Sequence, residues 1–129
     1  MRHWVLIAAV LFAMPAQACL WAGGERQVFF KQLPAGAEKL AVVAEVDLTS
    51  TSMDSSAHGR DNIVTVTKPI KGVHYGETFH ILTDTSDCSR DFDLKAGEKY
   101  FIAGVRDAKG NFRGEWDGSG KFLFSESNH

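Results

Sequence analysis

Leu40-Ala41-Val42-Val43-Ala44-Glu45-Val46-Asp47-Leu48 decides the fold class. The stretch is rich in β-branched residues, and towards its end apolar and acidic residues alternate. That is the period of a strand with one buried face. Working outward, Asn62-Ile63-Val64-Thr65-Val66-Thr67 repeats the signal, with Val64 and Val66 on one face. Pro69 is expected to end regular pairing, and Lys71-Gly72 to make a turn. Thr78 to Thr83 reads as a third strand. Lys99 to Val105 reads as a fourth, entered by the turn Lys95-Ala96-Gly97-Glu98. The turn cluster Asp107-Ala108-Lys109-Gly110-Asn111 leads to a shorter fifth strand, Phe112 to Trp116, and Lys121 to Phe124 adds a last short one.

Before the first strand, Val28, Phe29, Gln32 and Leu33 fall at helical spacing. Glu25 near the start and Lys31 near the end suit a helix dipole, so a short helix is expected between Glu25 and Leu33. The polar, aperiodic run Thr49 to Asp61 reads as a long loop between the first two strands. The class is therefore all-β with one short helix. Five or six short strands suggest a small barrel, because closure removes exposed sheet edges; a sandwich is the alternative.

The chain has 129 residues. Met1-Arg2-His3 is a basic start, Trp4 to Met14 an apolar run, and Pro15 followed by Ala16-Gln17-Ala18 a small-residue cleavage site. The order is that of a secretory signal peptide, with cleavage expected between Ala18 and Cys19. The apolar run is shorter than the roughly 20 residues a spanning helix needs, and no transmembrane segment is expected later. Residues 19–129 suit one domain. The whole chain carries 14 Lys and Arg against 16 Asp and Glu, a net charge of −2, which argues against nucleic acid as a partner.

Export implies an oxidising compartment, secreted or periplasmic. The chain's two cysteines, Cys19 and Cys88, then read most simply as one disulfide. Closing so long a loop would stabilise the fold by roughly 4 kcal/mol in the chain-entropy model. Cys19 is also the expected mature N-terminus, where an α-amine, a carbonyl and a sulfur share one residue. A rival use is a lipid anchor at Cys19, which would consume both amine and thiol. Ala18 fits a lipoprotein signal, while Ala16 and Gln17 fit it poorly.

The order of these features resembles the netrin-like OB-fold domain of the tissue inhibitors of metalloproteinases. The resemblance rests on Cys19 at the expected mature start and on the Val-rich strand Ala41 to Leu48. It rests further on the turn Pro69-Ile70-Lys71-Gly72, on Thr83-Asp84-Thr85-Ser86-Asp87-Cys88, and on Gly97-Glu98-Lys99-Tyr100-Phe101-Ile102-Ala103-Gly104. It covers nearly all of the expected mature chain. Trp21 stands where the family's inhibitors carry another cysteine. The resemblance implies a five-stranded OB-fold β-barrel and a non-enzymatic inhibitor whose partner is a zinc metalloproteinase. Cys19 would chelate the partner's zinc through its amine and carbonyl, filling the coordination position a catalytic zinc leaves open. Leu20 would enter an apolar specificity pocket, Trp21 and Ala22 would extend the ridge, and Ser86 and Asp87 would form a second contact beside Cys88. The protein would need no cofactor or metal of its own. An envelope interaction module without inhibitory activity is the alternative.

No catalytic constellation competes with this reading. His58, His74, His80 and His129 form no metal-binding pair in sequence. His74 and His80 read as solvent-facing or half-buried. Asp84, Asp87, Asp91 and Asp93 lack the glycine turn and terminal Glu of a calcium loop, so a solvated acidic loop is expected. Phe112 and Trp116 would suit stacking on a sugar, but aromatic residues on short strands more often belong to the core.

Overall fold

The computed structural model describes residues 26–54, 59–84, 91, 94–118 and 121–123. Five antiparallel strands form one sheet: β1 Val42–Asp54, β2 Gly59–Lys71, β3 Thr78–Asp84, β4 Lys99–Arg106 and β5 Phe112–Arg113. Their spatial order is β3-β2-β1-β4-β5, so β1 is central and β3 and β5 are the edges. The sheet curls until Phe79 on β3 and Phe112 on β5 meet, ring centroids 5.9 Å apart. No strand pairing joins those two edges among the described residues, and the sheet is not closed.

Strand alternation builds the main core. Val42, Ala44, Val46 and Leu48 of β1 share a face with Val64 and Val66 of β2, Phe79 and Ile81 of β3, and Tyr100 and Ile102 of β4. Burying each such Val, Leu or Ile stabilises by about 1.5–3 kcal/mol. The opposite face is also covered at one end. There Val43 and Ala103 pack with Phe30, Leu40 and Phe122. Two-sided burial explains why the start of β1 is continuously apolar and only its later part alternates.

Five expectations are corrected. The helix between Glu25 and Leu33 is absent from Arg26 onward. Gln27 instead pairs with Trp116, and Phe30 with Phe101. Val28, Phe29 and Phe30 are all buried, but against different neighbours, with Phe30 in the second cluster. Three consecutive buried residues suit an extended chain wedged between layers, not a one-sided helix. Before β1, the described residues hold a 3₁₀ turn at Ala37–Lys39.

The supposed loop Thr49 to Asp61 is mostly strand. Its outer residues belong to β1 and β2, which pair from Val43 with Lys71 to Asp54 with Gly59. Thr51 Oγ1 donates to Asn62 Oδ1 at 2.7 Å. Asn62 Nδ2 donates in turn to Ile81 O and Thr83 Oγ1, both at 2.9 Å. Asn62 is wholly buried. This polar cluster links three strands where an apolar core would otherwise run, which is why the segment shows no apolar period. Pro69 does not end pairing with β1, since it lies opposite Ala44 beside a register shift. Pairing of β2 with β3 does stop at Thr65, so the missing N–H of Pro69 costs the ladder nothing on that side.

The fifth strand is regular only over Phe112–Arg113, and the last expected strand is reduced to a bridge between Phe122 and Trp116. Gly104 and Gly114 mark a close approach between β4 and the chain after β5. A Cβ on Gly104 would lie 2.1 Å from Arg113 O, and one on Gly114 2.4 Å from Ala103 O. Beyond this crossing the two chains part, and residues 27–30 fill the gap, bonded to Trp116 on one side and Phe101 on the other. Gly104→Ala should therefore lower stability by about 1–3 kcal/mol, as overpacking does. Urea unfolding checks this, and a loss below about 0.5 kcal/mol, the size of an ordinary surface change, would contradict the close approach.

Candidate functional site

Cys19, Leu20, Trp21, Ala22, Ser86, Asp87 and Cys88 lie outside the described residues. The structure does describe two nearby stretches of chain, at Asp91 and at residues 26–30. Asp91 comes three residues after Cys88. Its Oδ2 accepts the Val28 N–H at 2.8 Å and its Oδ1 the Phe29 N–H at 3.0 Å. The chain leading from Cys19 is thus tied to the chain leading from Cys88. Gln27 exchanges two main-chain hydrogen bonds with Trp116, at 3.0 and 2.9 Å. Arg26 lies 3.7 Å from the Glu115 carboxylate. Phe29 packs edge-on against Tyr100, with centroids 5.7 Å apart.

Asp91 is not the solvated acid its sequence context suggests; it is only 4 % exposed. Burial pushes its carboxyl up to about 6, against the pull of the two N–H groups, and the nearby Glu115 charge adds to the rise. A buried carboxylate is costly to leave ionised, and the hydrogen bonds repay only part of that cost. No local pattern could reveal this role, because the partners are 62 and 63 residues away.

A groove of about 830 Å³ opens beside this anchor. One wall is β3 from His80 to Thr83, with Ile81 in it, the other the chain from Asp107 to Glu115, with Phe112 in it, and Val28 also lines the groove. Phe112 of the lining meets Phe79 of β3. There Arg106 sits 5.3 Å from the Phe79 ring and 2.8 Å from the Glu77 carboxylate. The His74 N–H and then Arg106 hold the Glu77 carboxyl below the ordinary range. At the wall, His80 Nδ1 lies 3.5 Å from Asp61 Oδ1, with the imidazole largely exposed. His74 is exposed as well. Among the described residues no group of three His, Cys, Asp or Glu side chains is placed to hold a metal ion.

Phe112 is core, and Trp116 packs against the second cluster, 6.0 Å from Phe30. Neither offers a free stacking face. Among the described residues no helix is long and apolar enough to cross a membrane. No family model, curated protein or solved structure matches the chain.

The raised Asp91 carboxyl has a pH signature. A group whose pKa rises from 3.8 in the unfolded chain to about 6 in the fold contributes stability that is full below the lower value and lost as pH rises through the upper one. The stability gap between wild type and Asp91→Ala should therefore widen as pH falls from neutral towards 4. Urea unfolding of both proteins across that range measures it; a gap that shrinks on acidification would mean the carboxylate is stabilised as an anion.

Proposed function

We propose that this is a non-enzymatic protein of the secreted or periplasmic space that inhibits zinc metalloproteinases with its mature N-terminus. The amine and carbonyl of Cys19 fill the open position on the partner's zinc. The observation that carries this reading is the pair of hydrogen bonds from Val28 and Phe29 to Asp91. Cys19 stands nine positions before Val28, and Cys88 three positions before Asp91. At about 3.3–3.6 Å per extended residue, those lengths let both sulfurs reach one point and close a Cys19–Cys88 disulfide. An N-terminus held in this way loses little entropy on docking.

The five-stranded sheet, with β3 and β5 brought face to face through Phe79 and Phe112, supports a partly open OB-type barrel as the platform. In this reading Leu20 enters the partner's apolar pocket. Trp21 and Ala22 flank it, and Ser86 and Asp87 supply the second contact. The α-amine of a free terminus titrates near about 7.7–8.0, so a neutral donor is accessible at working pH.

Inhibition constants against a panel of zinc endopeptidases test the proposal. One alanine added before Cys19 displaces the amine while leaving the body intact, and should abolish inhibition. Leu20→Gly should weaken it roughly 10- to 100-fold, the worth of one buried leucine. Unchanged inhibition by the extended protein would rule out chelation.

A further inference from the structure

β3 has no partner on its outer side among the described residues, and what that edge can offer a ligand goes beyond the zinc reading and does not depend on it. Its chemistry follows from the phase of the ladder. Val66 N–H donates to Glu77 O, and Gly76 N–H to Val66 O, both at 2.8 Å. The even-numbered residues of β2 thus face β3. Ile63 O, by contrast, accepts Thr49 Oγ1 on β1. With Val64 opposite Phe79 and Asn62 opposite Ile81, Phe79 and Ile81 turn their main-chain groups to β2. Antiparallel geometry then turns those of His80 and Leu82 outward, into the groove. No strand among the described residues pairs with them.

Sheet edges that are meant to stay unpaired usually carry Lys, Pro or a bulge. β3 reads Thr-Phe-His-Ile-Leu-Thr-Asp and pairs with β2 without a register shift. Leu82 is 59 % exposed beside the edge. Alternating N–H and C=O groups at strand spacing are matched by one kind of ligand, another extended main chain.

We infer that the groove binds an extended peptide segment of a partner protein, added as a strand along His80–Leu82. Ile81 and Phe112, one in each wall, favour an apolar side chain pointing in. Lys109 on the rim is exposed and has no ion pair among the described residues, which favours an acidic residue beside it, while Asp61, Asp107 and Glu115 disfavour one along the rest of the lining.

The test is selection of random heptapeptides displayed on phage against the immobilised mature protein, followed by amide exchange with the winning synthetic peptide. Selection should enrich peptides that combine apolar and acidic residues, and the peptide should slow exchange at His80 and Leu82 at least tenfold. N-methylation of alternate peptide residues should abolish binding. Leu82→Pro, which deletes one outward N–H, should weaken it at least tenfold; the N-methylated peptide gives the same readout on wild type should that variant fold poorly. Four results would each overturn the inference: no enrichment, binding without protection of these two amides, amides already protected in dilute protein (the edge covered by this chain's own termini), and protection that appears with rising protein concentration (a second copy).

Discussion

Two backbone N–H groups, at Val28 and Phe29, end on the carboxylate of one buried residue, Asp91. The arrangement of the candidate site depends on that contact. It ties residues 28–29 to Asp91, beside the apolar layer formed by Val28, Phe29 and Tyr100. A carboxylate is unusually suited to this task. It offers two oxygens to two consecutive donors, which a hydroxyl or an amide oxygen cannot do. The cost is the burial of a carboxyl group, which raises its pKa to about 6. The contact therefore specifies position more than it adds stability.

The second constraint is the crossing at Gly104 and Gly114. Their missing side chains let β4 and the chain after β5 touch and then part, which makes room for residues 27–30. The same divergence swings the chain after Arg113 away from a regular β5, and leaves β3 facing a groove instead of a paired strand. The anchor and the groove are thus two consequences of one local geometry. Arg26, Val28, Asp91 and Glu115 line the groove and also belong to or adjoin the anchor. Anything that alters the anchor should be felt along the β3 edge.

Much of the sheet was legible in the sequence. The alternation of Val46, Asp47 and Leu48, the Val64–Val66 pair and the apolar run Tyr100 to Val105 each mark a strand, because a buried face imposes its period directly. The turns at Lys95–Glu98 and Asp107–Asn111 were equally plain. They close with hydrogen bonds from Glu98 N to Lys95 O and from Gly110 N to Asp107 O. The outer halves of β1 and β2 were hidden, since their inward contacts are Thr51, Asn62 and Thr83, whose mutual hydrogen bonds replace apolar burial. Residues 28–30 misled for the opposite reason. They are buried from two sides, and continuous burial carries no period. Asp91 was illegible, because its role is set by partners far away in sequence. The candidate contact residues Cys19 to Ala22 and Ser86 to Cys88 came from the sequence alone, and the structure contributes the anchor between them.

Inhibition by the N-terminus requires Cys19 to be a free N-terminal residue joined to Cys88. The most direct measurement is the intact mass of the protein exported from its native host, before and after reduction. The expected mass begins at unmodified Cys19 and gains two hydrogens on reduction. A mass carrying acyl chains on Cys19, or one that reduction leaves unchanged, would contradict that mode of inhibition.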